Sequence, residues 1–160
     1  MTGKWKKAAA VLLAAVMAVL LVPLPTYAKE TAKISVGSGS CDIGDEVTIS
    51  VSVSSSVDIY MCDIWLSYDS GVLQPVSGYS GGGGGSVRLL STDSTSFSVR
   101  FKAVSAGSSS ISVSTSNTII SSADEDYMAV SAGSGSVTVK APVSYSTDNT
   151  LASLDISPGV

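Results

Sequence analysis

The sequence predicts an all-β fold: an antiparallel two-sheet β-sandwich, jelly-roll-like, of about eight or nine strands, following an N-terminal signal helix. Three observations predict it. Apolar residues alternate with serine, threonine or charged residues at a period of two, which marks strands buried on one face only. The apolar members are mostly β-branched, and they suit a pleated surface better than a helix. Turn-forming pairs such as Gly44-Asp45, Ser70-Gly71 and Ala106-Gly107 cut the runs into short pieces.

Residues 1–28 read as a signal peptide. Lys4, Lys6 and Lys7 give a basic start, Ala8 to Val22 is an apolar run of 15 residues, and Pro23 and Pro25 break it. Thr26 and Ala28 then supply small residues at the −3 and −1 positions of a cleavage site before Lys29. As a helix the run reaches only ~22 Å, short of the ~30 Å hydrocarbon core, so an uncleaved anchor is the weaker reading.

The sandwich is expected over residues 29–142. Val47, Ile49, Val51 and Val53 alternate with Thr48, Ser50 and Ser52, and Phe97, Val99 and Phe101 alternate with Ser98, Arg100 and Lys102. Ile111 with Val113 and Val137 with Val139 repeat the pattern, while Ile34 with Val36 and Val87 with Leu89 are shorter cases. Gly81 to Gly85 reads as a flexible loop: no Lys-Ser or Lys-Thr follows it, so it is no phosphate cradle. Composition turns polar at Ala141, and a linker is expected over 143–150. Leu151 to Val160 starts a new strand pattern and reads as the truncated beginning of a further repeat over 151–160.

The stretch IYMCDIWLSYDSGVL, residues 59–73, carries the functional question. Tyr60, Cys62, Ile64, Leu66 and Tyr68 make its expected core side. Met61, Asp63 and Trp65 then fall on the outer side, their ends about 13 Å apart at ~3.3 Å per residue. A tryptophan and a methionine flanking a carboxylate form a candidate partner-binding row, because aromatic residues and methionine are enriched at interfaces. A loop, cross-strand neighbours or a following domain covering Trp65 would be the structural alternatives. Arg88 is a candidate for the same face as Asp63, and Arg100 and Lys102 would join it if their strand lies in that sheet.

Charge and composition exclude several classes. With three of nine basic residues in the leader, six remain against 13 acids, a net charge of −7. A negative chain with no basic stripe is a poor binder of nucleic acid or anionic lipid. Membrane contact is expected only through the cleaved leader or an anchor outside this chain. There is no histidine, so Ser-His-Asp and Cys-His arrangements are impossible. No enzyme activity, cofactor or metal site is expected. The acidic run Asp124-Glu125-Asp126 reads as a solvated loop, since three consecutive carboxylates cannot converge on one calcium ion. Cys41 and Cys62 are the two cysteines; in an exported chain they can form a disulfide or stay as free thiols, and both alternatives remain open.

From about Ala32 to Lys140 the chain resembles a cohesin, the β-sandwich module with which scaffolding proteins of cellulose-degrading bacteria hold dockerin-bearing enzymes. Three places carry the resemblance: Gly44 to Val51, Met61 to Asp69 followed by Val72-Leu73, and Ile111 to Asp126. It implies that a dockerin-like module lies on the outer face of the sheet containing the Met61 to Asp69 strand, with Asp63 at a contact position. Met61 stands where the family commonly has asparagine, and the Gly-rich stretch after Gly78-Tyr79-Ser80 replaces much of the usual platform. The last ten residues resemble the opening strand of cadherin-like repeats of bacterial surface proteins. The expected function is therefore a secreted or cell-surface, non-catalytic attachment module in polysaccharide degradation. Polysaccharide binding through Trp65 and an exposed tyrosine such as Tyr79 is the alternative, and a structural spacer the third reading.

Overall fold

The computed structural model describes residues 28–124 and 126–143; the expected leader up to residue 27, Glu125, and the expected linker and tail from residue 144 lie outside the described residues. The chain forms β1 (Thr31–Val36), β2 (Gly39–Asp42), β3 (Glu46–Ser54), β4 (Ile59–Ser67), β5 (Leu73–Ser77), β6 (Gly81–Gly82), β7 (Ser86–Ser91), β8 (Ser96–Ala103), β9 (Gly107–Val113), β10 (Ile119–Ser122), β11 (Ala129–Ala132) and β12 (Ser134–Lys140). Among the described residues there is no helix. One sheet has the order β11-β1-β3-β8-β5; the other runs β2-β12-β9-β4-β7-β6, with β10 also paired to β4.

Twelve strands stand where eight or nine were expected, because long runs are interrupted. Between β1 and β2 the chain passes from one sheet to the other, and between β11 and β12 it does so again. β1 pairs with β11, and β2 with β12, in parallel, so the sandwich is not purely antiparallel. The two crossings meet closely: a Cβ on Gly135 would run into the carbonyl oxygen of Gly37, so only glycine fits there. Gly81 to Gly85 is a loop only in part. Gly81 and Gly82 pair with Arg88 and Val87, and Gly83 and Ser86 exchange backbone hydrogen bonds across the turn. The run is a hairpin that ends the second sheet.

The alternation that predicts the strands also builds the core. β3 alternates without a break, with Val47, Ile49, Val51 and Val53 inside. Val99, Phe101, Leu73 and Ile34 join them from the same sheet, facing Cys62, Ile64, Leu66, Val87, Leu89, Ile111 and Val137 from the other. Each large aliphatic side chain so buried contributes roughly 1.5–3 kcal/mol. At one end Tyr68 packs against Phe101 across the sandwich, ring centres 5.1 Å apart and tilted by 56°.

Tyr60 departs from expectation. It is 52% exposed rather than in the core. The register between β10 and β4 jumps from Ser121↔Met61 to Ser122↔Ile59, which leaves Tyr60 as the extra residue of a β-bulge. The bulge breaks the period of two, and the ring is released to solvent.

Candidate functional site

β4 lies inside its sheet, with β7 along one side and β10, then β9, along the other. Its even-numbered residues from Cys62 to Leu66 are buried in the core, so Met61, Asp63, Trp65 and Ser67 face outward. Residues directly opposite on paired strands share a face. That rule places Arg88 beside Trp65, Leu90 and Ile119 on the two flanks of Asp63, and Ser121 beside Met61.

Arg88 ties this row together. Its position diagonal to Asp63 lets the guanidinium reach back along the face and grip the carboxylate with two parallel bonds. Nε donates to Oδ1 at 2.8 Å and Nη2 donates to Oδ2 at 2.6 Å. Such fork-to-fork pairs fix geometry as well as charge. The hydrogen bonds to Asp63, and then its negative charge, raise the Arg88 pKa, so the guanidinium stays charged at any ordinary pH. The guanidinium carbon also lies 5.8 Å from the centre of the Trp65 ring, within cation–π range. Asp63 is only 8% exposed, while Leu90 and Ile119 beside it are 42% and 43% exposed. The carboxylate is thus sunk between two aliphatic side chains and held by the arginine.

The strand neighbours of Trp65 hold its backbone on both sides. Here β4 changes partner, from β10 to β9, because a turn in which the Asn117 amide donates to the Ser114 carbonyl separates those two strands. The buried Thr118 fills the gap: its Oγ1 accepts from the Trp65 amide at 3.2 Å. The Ser114 amide donates to the Trp65 carbonyl. Beyond Arg88 the sheet ends in Gly81, which has no side chain and open space where a Cβ would point. Nothing on that edge strand covers the arginine.

The structure therefore brings Met61, Asp63, Trp65 and Arg88 onto one face. It does not bring Arg100 and Lys102 there. Their strand, β8, belongs to the other sheet, where Arg100 pairs with Glu46 at 3.4 Å. Sequence reading missed Leu90 and Ile119. The signal was present in Leu89-Leu90 and Ile119-Ile120: two adjacent apolar residues in a strand force one of them outward.

Cys41 and Cys62 are both free thiols. They sit on β2 and β4, with β12 and β9 between, three strand spacings or about 14 Å apart at ~4.8 Å each. A disulfide needs Cα atoms closer than ~7 Å. Their spacing of about 20 residues allowed a bond, but the passage of the chain through the other sheet in β3 separates them. Burial pushes the Cys62 thiol up to about 11, so it stays protonated and behaves as a small core residue. Burial, reinforced by Asp45 and Asp42, also raises Cys41.

The sequence matches the family described as "Cohesin domain" over residues 32–139. Among solved structures, CaCohA2 from Clostridium acetobutylicum, in its complex with a CaDoc0917 point variant, is similar at a TM-score of 0.60. The identity is 20%, over 68% of this chain and 99% of that one. The sixth cohesin of Acetivibrio cellulolyticus scaffoldin B, in complex with a mutant Cel5 dockerin, gives 0.58 at 16% identity, over 69% and 99%. A non-cellulosomal cohesin from the archaeon Archaeoglobus fulgidus gives 0.59 at 16%, over 69% and 91%. No curated protein sequence matches the chain. The two-sheet sandwich with its terminal strands paired in parallel, together with a family match that spans β1 to β12, leads to one assignment: the chain belongs to the cohesin domain family.

Proposed function

We propose that this sandwich is a non-catalytic attachment module that binds a dockerin-type partner through the outer face of β10, β4 and β7. We further propose that it does so on an exported bacterial protein engaged in polysaccharide degradation. The observation that carries the reading is the row built on β4: Trp65 and Met61 flank a carboxylate that is locked by Arg88 and bordered by exposed Leu90 and Ile119. An exposed apolar group around one fixed polar pair is the make-up of an interface centre. Family membership supports the partner class, and the leader-like residues 1–28 support export. Direct polysaccharide binding fits less well, because the Arg88 guanidinium sits against the Trp65 ring instead of leaving both faces to sugars.

The test is titration of the chain into the dockerin modules named above, alongside retention on cellulose and other plant polysaccharides. Saturable dockerin binding that Trp65→Ala abolishes at unchanged melting temperature supports the proposal. Polysaccharide retention without dockerin binding would replace it with the carbohydrate reading.

A further inference from the structure

The Asp63–Arg88 pair raises a question of chemistry. Both groups stand on the proposed docking face, and both could serve a partner: a carboxylate would take a hydroxyl or a cation, a guanidinium would take a carboxylate. The geometry gives each to the other. Both Asp63 oxygens accept from Arg88, and the carboxylate is 8% exposed between Leu90 and Ile119. On Arg88, Nε and Nη2 are taken, and Nη1 makes no hydrogen bond among the described residues. The rest of the row is Met61, Trp65, Leu90 and Ile119, with the small hydroxyl of Ser121. We infer that Arg88 masks Asp63 and makes this face an apolar, charge-neutral platform, which selects a dockerin-type partner with uncharged aliphatic or aromatic contact residues.

The physical reason is the cost of separating the pair. To use Asp63, a partner must displace two charge-assisted bonds and leave a guanidinium over the ring without its counter-ion. To use Arg88 as a cation, it must bring a second carboxylate against one already there, on a chain that is negative overall. An apolar partner disturbs neither, and covers the exposed parts of Leu90, Ile119 and Trp65. A neutral oxygen, such as a backbone carbonyl, suffices for Nη1. Arg88 is then a specificity-determining residue: it decides what Asp63 is allowed to contact.

This inference rests on the dockerin reading, and the experiment separates the two. A displayed library of the Cel5 dockerin, randomised at its cohesin-contacting positions, is selected against the full chain and against its Arg88→Met and Asp63→Asn variants. The native chain should enrich Leu, Ile, Val, Met or Phe. Affinities of the selected modules should change by less than about threefold between low and high salt. Arg88→Met, with its carboxylate unmasked, should shift selection to Ser, Thr, Lys or Arg; Asp63→Asn, with its guanidinium unmasked, should shift it to Asp or Glu. Native-chain enrichment of hydroxyl, cationic or acidic contacts overturns the inference and leaves the dockerin reading standing. No enrichment on any of the three overturns that reading, and this inference with it. Thermal melts establish that each variant is folded; should Arg88→Met fail to fold, the native and Asp63→Asn selections decide.

Discussion

Two parts of one sheet face differ sharply. Around β9 and β12 the outward positions are Ser108, Ser110, Ser112, Ser134, Ser136 and Thr138, lying opposite one another across the ladder. Around β4 and β7 they are Met61, Asp63, Trp65, Arg88 and Leu90. Beneath both regions the buried side is the same in kind: Ile111, Val137 and Val139 in one, Ile64, Leu66 and Leu89 in the other. Folding constrains the buried side and asks little of the outer one beyond β propensity and solubility. The serine region meets that minimum. The tryptophan region exceeds it, with large apolar groups left half-exposed around an ion pair that costs desolvation. The difference teaches that folding alone does not call for the second region's composition, which is what the proposed docking role would require.

The comparison can be broken or sharpened by experiment. The largest effect should come from below it. Ile64→Ala, which empties a fully buried site on the core side of β4, should destabilise the sandwich by about 2–5 kcal/mol. Denaturant unfolding would read this, together with a melting temperature lower by more than about 10 °C. Next, Trp65→Ala should weaken binding to a dockerin module by roughly 30-fold or more, as expected for a tryptophan at an interface centre, with stability changed by only about 1 kcal/mol. Calorimetric titration measures the first number and a thermal melt the second; equal loss from Ser110→Ala would erase the distinction between the two regions.

A pH effect of smaller size separates inside from outside on β4. Burial holds the Cys62 thiol up to about 11, above the ordinary thiol value of 9.0. The folded state therefore keeps a proton that the unfolded chain releases between these values. Stability from this source is complete below about pH 9 and is lost as pH rises toward 11, a decline on the order of 2 kcal/mol. The Tyr68 hydroxyl, also raised mainly by burial, adds a change of the same sign at higher pH. Urea unfolding at pH 8 and pH 10.5 should show the decline, and Cys62→Ala should flatten it. The smallest effect belongs to the serine region. Ser110→Ala with Ser136→Ala should leave stability within about 0.5 kcal/mol and dockerin affinity unchanged.

Much of this was legible in the sequence, for a physical reason. A period of two states directly which residues face the core, so the strands and the outward placement of Met61, Asp63 and Trp65 followed from it. What the period cannot state is a defect in itself: the bulge that exposes Tyr60 depends on the register with β10, and no local pattern records a register. Nor does it state which strand neighbours which. That Arg88 would meet Asp63 while Arg100 and Lys102 would not depends on sheet membership, set by long-range pairing. The open disulfide question had the same origin, because separation along the chain said nothing of the strands lying between. The strand at Gly81 and Gly82 was missed because a two-residue edge strand of glycines has no side-chain pattern to see.

The parallel pairing of the terminal strands carries a mechanical consequence. Thr31 lies level with Ala129, and Asp42 level with Lys140. The chain thus enters beside the start of its last strands and leaves beside the end of its first ones, at opposite ends of the sandwich. A stretching force between residues 30 and 141 must slide these neighbours past each other lengthwise, straining a whole ladder of hydrogen bonds at once instead of unzipping them singly. Tension along the polypeptide is met in shear, the loading direction in which such a ladder resists rupture most strongly.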